Sequence, residues 1–406
     1  MTRLLHIFLT LTAALLSLPA AHGRAYKNPT PGRFPILAWY SIRPDSAVTH
    51  ARYQEMAACG FNISFSHFST ADEVAKALEA CQGTGVTQMV MTADLEKNTA
   101  DVVNRFKHHP MVSGWFLRDE PTTHGFADLR AFRDRVLAAD TTHLVYLNLL
   151  PNYVNPKALG TKDYREYVQR FADEVDLGLI SYDHYPVVED ANGLHLRDRF
   201  YENLEDVLAV SRQTGQPMWA FCLSTAHDPY PVATREALRL EAFSNLAYGA
   251  QCIQYFTYWN PGGTTWNFHT APISMDGHRT HVYYLVKDLN QEIQHLARIF
   301  LSAQVVSVAH TGPSIPKGTK PLTALPAPFR SIEASGQGVL VSHLRNGGKD
   351  YLMIVNRDLL HTQQVTVSKQ TALHRVLPTG QSVKEGRRPT TASLQPGDYL
   401  LYEWKR

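Results

Sequence analysis

Met111-Val-Ser-Gly-Trp-Phe-Leu-Arg-Asp-Glu-Pro121 reads as a single strand, apolar for most of its length and charged only where it stops. The run through Leu117 is what a strand covered on both faces requires, and Pro121 cannot continue a ladder. Asp119 and Glu120 then stand side by side at the end of a buried strand. Two carboxyls in such a place carry a desolvation cost and repel each other. Groups kept there against that cost usually act on a polar substrate. A closed parallel sheet with its chemistry at the strand ends is the fold that gives this segment a purpose.

The flanking sequence repeats the pattern. Strands are predicted at 34–42, 61–67, 86–93, 111–118, 144–149, 177–182, 218–223 and 253–258. Amphipathic helical stretches separate them, among them 48–59, 71–81, 127–139, 163–174, 201–214 and 235–248, and a long one follows at 281–301. Strands alternating with helices of this length pair in parallel through right-handed crossovers. Eight such units in roughly 270 residues match a (β/α)8 TIM barrel. An open doubly wound sheet would show a glycine-rich first turn, and Tyr40-Ser-Ile-Arg-Pro-Asp45 is none. Beyond Leu301 the period changes. Short runs at 304–309, 338–344, 351–355, 364–368, 374–378 and 399–403 alternate at β spacing with turns such as Asn346-Gly-Gly348. They predict a C-terminal antiparallel β-sandwich domain. The expected division is residues 1–23 for export, 24–303 for the barrel and 304–406 for the sandwich, with 313–328 as a linker or exposed loop.

A chain of 406 residues with 44% hydrophobic content can fill a sizeable core in each of two domains. Net charge is +2 without a basic run, which argues against nucleic acid or an anionic membrane as partner. Arg3, the apolar run Leu4 to Leu18 and the small-residue exit Pro19-Ala-Ala-His-Gly23 read as an export signal, too short to span a bilayer. The expected location is periplasmic or extracellular. Four cysteines, Cys59, Cys81, Cys222 and Cys252, lack the spacing of a metal knuckle. Cys59 and Cys81 end successive predicted helices and could pair after export, or all four could be buried thiols.

The predicted strand ends place Trp39 and Tyr40, His67, Asp94, Arg118 to Glu120, Asn148 and Tyr153, Asp183 to Tyr185, Ser224 and His227, and Tyr258 and Trp259 on one face. Carboxylates, asparagine and histidine bind hydroxyls, and aromatic rings stack on sugars. No glycine-rich cradle or lysine clamp suits a phosphate, and no cofactor or metal ligand set is expected. The inventory fits an oligosaccharide or polysaccharide. Glycosidic cleavage needs an acid and usually a second carboxylate. Glu120 is the acid candidate, because Asp119 disfavours a second charge beside it, although Arg118 opposes this. Asp183, in Ser181-Tyr-Asp-His-Tyr-Pro186, is its expected partner. Asp119, Tyr40, His67, Asn148, His184, Tyr185, Tyr258 and Trp259 are the expected substrate-binding residues. The bland alternatives are a helix start for Asp119 and Glu120, a loop cap for Asp183, and packing for His67, Tyr185 and Trp259. Asp94 suits a turn. Trp259 and Trp266 flank Asn260-Pro-Gly-Gly263 and together resemble an aromatic lid.

With Trp115-Phe-Leu-Arg-Asp-Glu-Pro121, the His184-Tyr185 pair, Trp259 and the terminal Pro396-Gly-Asp-Tyr-Leu-Leu-Tyr-Glu-Trp404, the chain resembles the clan A (β/α)8 glycoside hydrolases. In particular it resembles the family 42 β-galactosidase-like proteins of polysaccharide-degrading bacteria. The resemblance implies that Glu120 is the acid/base, Asp119 replaces the asparagine that binds the sugar 2-hydroxyl, and Trp259 floors the sugar site. One departure is plain: the family's nucleophile is a glutamate ending the seventh strand, and Met218-Trp-Ala-Phe-Cys-Leu-Ser-Thr225 has no acid, Asp228 being the nearest. Three readings follow. Asp183 takes over as base or nucleophile. Alternatively, Asp119 and Glu120 work with the substrate's own acetamido group, as in substrate-assisted N-acetylhexosaminidases of family 20. In the third, the barrel binds glycan without cleaving it.

Overall fold

The computed structural model describes residues 24–406, so the expected export segment, residues 1–23, lies outside the described residues. Eight parallel strands form the barrel: β1 Ile36–Trp39, β2 Ile63–Phe65, β3 Thr87–Val90, β4 Val112–Asp119, β5 Leu144–Asn148, β6 Ile180–Tyr182, β7 Met218–Leu223 and β8 Cys252–Phe256. They pair in the order β5-β4-β3-β2-β1-β8-β7-β6. The ring closes at a parallel bridge between Leu149 and Tyr182, where Leu149 N donates to Ser181 O at 2.9 Å. A closed ring leaves no edge strand to be covered.

The principal helices are α1 His50–Ala58, α2 Ala71–Cys81, α3 Thr99–Phe106, α4 Phe126–Ala139, α5 Tyr164–Arg170, α6 Phe200–Thr214, α7 Arg235–Ala247 and α8 His281–His295. Local chemistry sets their starts. Thr70 and Glu73 form a reciprocal capping box at α2, and Thr234 Oγ1 accepts from Ala237 N at α7. α5 is shorter than the predicted stretch because it passes into a single wide turn over Phe171–Val175. A hairpin, Val187–Asp190 with Gly193–Leu196, rises after β6 and has no counterpart in the sequence reading.

Alternation along the strands sorts the side chains. Leu37, Trp39, Phe65, Met89, Phe116, Tyr146, Trp219 and Phe221 fill the barrel interior, whereas Trp115, Val145, Ile180 and Cys222 pack against the helices. Cys59 and Cys81 do not pair. Both are free and buried, with Cys59 Sγ against Tyr283 O and Cys81 Sγ against Leu78 O, each 3.5 Å or less from its carbonyl.

The second unit has nine strands, β9 Gln304–His310, β10 Phe329–Ala334, β11 Val339–Asn346, β12 Lys349–Asn356, β13 Gln363–Lys369, β14 Leu373–Val376, β15 Ser382–Glu385, β16 Thr390–Leu394 and β17 Tyr399–Lys405. Six form one antiparallel sheet, β9-β11-β12-β17-β14-β15, and β10-β13-β16 form a second. β10, β15 and β16 are not in the sequence reading, since their half-exposed polar composition carries little apolar alternation. One apolar cluster runs without a break from the barrel helices into the larger sheet, through Leu340, Met353, Val355 and Leu401. Arg239 on α7 reinforces the junction, donating to Glu292 Oε2 at 2.5 Å and Asp398 Oδ1 at 2.6 Å. Tyr399 packs on Phe243 there, with ring centroids 4.4 Å apart.

Candidate active site

The C-terminal end of β4 departs from regular pairing. Its register against β5 shifts between Phe116 and Asp119, so that Asp119 pairs with Asn148. A bulge of this kind re-aims side chains. Phe116 points into the barrel and Leu117 out of it, while Arg118 swings to Glu96 at 3.0 Å. Glu120 then takes a left-handed backbone, φ 45°, and its N donates to Asn148 O at 2.9 Å. Tyr40, at the end of β1, is also left-handed, φ 42°. Such conformations cost a non-glycine residue on the order of 1–3 kcal/mol and persist where the surroundings enforce them. The result is that neighbouring residues Asp119 and Glu120 both face the barrel mouth. Arg118, paired elsewhere, does not neutralise them.

They open into a cavity of about 440 Å³ whose lining also includes Asn148, Tyr153, Asp183, Tyr185, His227, Asp228, Tyr230, Trp266 and Phe268, over a floor of Trp39, Phe221 and Phe256. The side chains of Asp119 and Glu120 touch open solvent in this bowl yet have protein on all sides. Limited hydration, and secondarily the Glu120 charge, raise the Asp119 carboxyl to about 7. Asn148 pulls it back down by donating to the charged form. Burial also raises Glu120, while its interaction with Asp183 opposes the rise. Asp183, 8% exposed, is pushed well up by burial and then by the charges of Glu120 and Asp119. Its Oδ1 receives no donor from the protein. Glu120 and Asp183 interact within the one cavity, so the two titrate as a couple.

A directed chain of donors supports this arrangement from below. Tyr146 Oη donates to Gln254 Oε1 at 2.5 Å, Gln254 Nε2 to Ser181 Oγ at 2.9 Å, and Ser181 Oγ to Asn148 Oδ1 at 3.0 Å. With its oxygen engaged, Asn148 turns its amide hydrogens to the carboxyls.

The expected residues divide. Glu120, Asp183, Asp119, Asn148 and Tyr185 share the cavity. Tyr40 stands at its edge, where burial and the Asp119 charge raise its hydroxyl. His67 lies under Tyr40, ring centroids 5.0 Å apart, wedged against Phe65 and Trp39; packing, not hydroxyl binding, accounts for it. His184 is a correction. It is sealed between Tyr153 and Phe200, where burial depresses it to about 3. Tyr258 is another, because its ring turns outward onto Phe61 at 5.3 Å. Trp259 does not floor the site either. It sits under Arg52, 5.0 Å from the guanidinium carbon, in a separate surface hollow with Arg43 and Met275. Trp266, 55% exposed, is the tryptophan of that loop that does reach the cavity.

Tyr230 and Phe268 escaped the sequence reading because no strand end carries them. They arrive on the loops after β7 and β8, which are laced together by mutual backbone hydrogen bonds of Ala226 and His269 at 3.0 and 2.9 Å. The aromatic content of those loops was the one available signal. The end of β7 carries no acid, and its hydroxyls are structural: Ser224 Oγ donates to Thr257 O at 2.7 Å, and Thr225 Oγ1 pairs with Thr257 Oγ1 at 2.7 Å. Among the described residues no cluster of metal-ligating side chains occurs, and no helix is long and apolar enough to cross a membrane.

Residues 151–296 match the Glyco_hydro_42 family, described as β-galactosidase. That segment runs from the loop after β5 to the end of α8, so it takes in Asp183 and His227 but not Glu120. The match supports a glycosidase. Among curated proteins the sequence finds no match. The fold is similar to the β-galactosidase of Bacillus circulans sp. alkalophilus, at 12% identity and TM-score 0.62, covering 91% of this chain and 99% of that one. It is also similar to a catalytic mutant of Gan42B, a GH42 β-galactosidase from G. stearothermophilus, at 10% identity and TM-score 0.60, covering 94% and 100%. These likenesses show a shared barrel-plus-β architecture. Against the β-galactosidase from the psychrophilic Marinomonas ef1, the alignment spans 60% of that chain and 65% of this one, at 12% identity and TM-score 0.49.

Proposed function

We propose that this protein is an exported glycoside hydrolase that cleaves O-glycosidic bonds of an oligo- or polysaccharide, with Glu120 as general acid. The observation that carries the reading is that Glu120, Asp119 and Asp183 line one aromatic-walled cavity at the barrel mouth. A carboxyl whose proton affinity is raised by its enclosed setting can deliver its proton to a departing sugar oxygen. Tyr153, Tyr230 and Trp266 offer ring faces to a sugar, and Asn148 and Asp119 offer hydroxyl partners.

Asp183 enters as the partner that shares and returns the proton. Two carboxyls flanking a scissile bond stand about 5–5.5 Å apart in retaining enzymes and about 6.5–9.5 Å in inverting ones. The separation of Glu120 and Asp183 in a substrate complex distinguishes the two.

The test is sugar release by the purified protein from a panel of aryl glycosides and natural oligosaccharides, wild type beside Glu120→Gln. Release by wild type, and its loss in the variant for the natural oligosaccharides, is the expected result. Glycan binding without release by wild type would instead make the barrel a lectin-like binder. Export is checked by the mature N-terminus in a secreting host, expected after Gly23; an intact leader on cytosolic protein would end that part of the reading.

A further inference from the structure

β7 ends without an acid, yet hydrolysis needs a group that makes water nucleophilic. His227 stands on the loop that follows β7 and lines the same cavity as Glu120. Its Nδ1 lies 3.1 Å from Thr225 O. A carbonyl only accepts, so Nδ1 carries the hydrogen, and Nε2 keeps its lone pair. The ring makes no second hydrogen bond among the described residues. Its orientation is fixed by aromatic neighbours, with centroids 4.8 Å from Tyr230, 4.8 Å from Phe268, 5.9 Å from Phe256 and 6.1 Å from Trp266. The backbone is clamped as well: His227 N donates to Tyr230 O at 3.0 Å and Asp228 N to Asn267 Oδ1 at 2.8 Å.

We propose that His227 is the general base of the reaction, accepting a proton at Nε2 from the water that attacks the anomeric carbon. The inference rests on the glycosidase reading above. In the step, the water O–H bond breaks and its proton goes to Nε2. The water oxygen bonds to the anomeric carbon as the glycosidic C–O bond breaks, and the departing oxygen takes the proton of Glu120. Imidazolium then releases its proton to solvent, and Glu120 is reprotonated from Asp183 or from solvent. No covalent sugar–enzyme bond forms, so the anomeric configuration inverts.

The ring is suited to stay neutral between turnovers. Burial lowers its proton affinity and His269, across from it on the β8 loop, adds to this, while the Thr225 carbonyl and Asp228 oppose it. The other titratable groups around the cavity are Asp119, Glu120, Asp183, Tyr153, Tyr185 and Tyr230. Asp228 is the rival base, but it is exposed beyond the ring at the cavity rim.

Two measurements test the proposal on the active wild-type enzyme. The first is the anomer released first, followed by NMR; inversion is expected, and retention overturns the inference. The second compares His227→Gln and His227→Ala with Asp228→Asn. Both histidine variants are expected to lose roughly 10²–10⁴ in kcat, with KM near wild type and the low-pH limb of the rate profile gone, and the glutamine variant to keep a thermal midpoint near wild type. Should the alanine variant fail to fold, the glutamine variant, which keeps a donor for Thr225 O, gives the reading. Histidine variants with more than half the wild-type kcat, or a comparable loss confined to Asp228→Asn, overturn it. A wild type that releases no sugar sinks the glycosidase reading and this base together; an active wild type indifferent to His227 sinks only the base.

Discussion

Ser181 Oγ donates to Asn148 Oδ1 at 3.0 Å, and this bond decides which face of the Asn148 amide the active-site carboxyls meet. With the oxygen held from below, the amide hydrogens can only turn to Asp119 and Asp183, lowering both. Ser181→Ala removes the hold. The amide is then free to rotate its oxygen toward the carboxyls, and the ionisation of Asp119, at about 7 in the intact protein, should move upward. A charge-assisted hydrogen bond is worth about 1.5–3 kcal/mol, so the expected displacement is about one to two pH units. The pH dependence of kcat/KM, or carboxyl titration by NMR, reads it directly; an unmoved profile would mean the amide is held by other means.

Glu120→Gln keeps the shape of the side chain and removes its proton. The loss in kcat/KM should be roughly 10²–10⁴ for a sugar leaving group and much smaller for a nitrophenolate, which needs no protonation. An equal loss for both leaving groups would assign Glu120 to binding.

Trp266 presents its ring from the β8 loop at the open side of the cavity. Trp266→Ala should raise KM about 2–10-fold with little change in kcat, because stacking of this kind contributes about 0.5–1.5 kcal/mol to bound and reacting sugar alike. Trp259→Ala, in its separate hollow, should leave KM for a small glycoside unchanged. Steady-state kinetics of the two variants side by side makes the comparison.

Glu241 on α7 is buried behind β7, where its Oε2 accepts from Leu223 N at 2.8 Å. Burial raises it to about 8 from an ordinary 4.5. The folded form therefore binds a proton that the unfolded chain has already released between these values. Stability contributed by this group is full below about pH 4.5 and is lost as pH rises toward about 8, at up to about 1.4 kcal/mol per pH unit. Glu241→Gln, with a neutral acceptor for Leu223 N, should flatten that slope and raise the thermal midpoint at pH 7 to 8 but not at pH 4. Calorimetry across this range checks both halves of the expectation.

The eight strands and their helices could be read from the sequence because each segment carries its own instruction. Apolar runs of four to eight residues, bounded by turns, have few ways to be buried other than as parallel strands under helices. Glu120, Asp183 and Asn148 followed from the same rule, being polar residues at strand ends. His184 and Tyr258 obey that rule only in position along the chain. Their rings point away from the mouth, since alternation beyond the last ladder bond is set by neighbours such as Phe200 and Phe61 and not by strand period.

What the chain determined by local pattern was the barrel, the appended sandwich and the ring of polar groups at one end. The tertiary structure alone decided that Asp119 and Glu120 face inward together, because a register shift against β5 and one left-handed residue overrule the two-residue period of a strand. It also decided that Tyr230 and Phe268 join them, since the lacing of the β7 and β8 loops brings those rings to the cavity. Both facts arise from contacts between segments distant in sequence, which no local periodicity encodes.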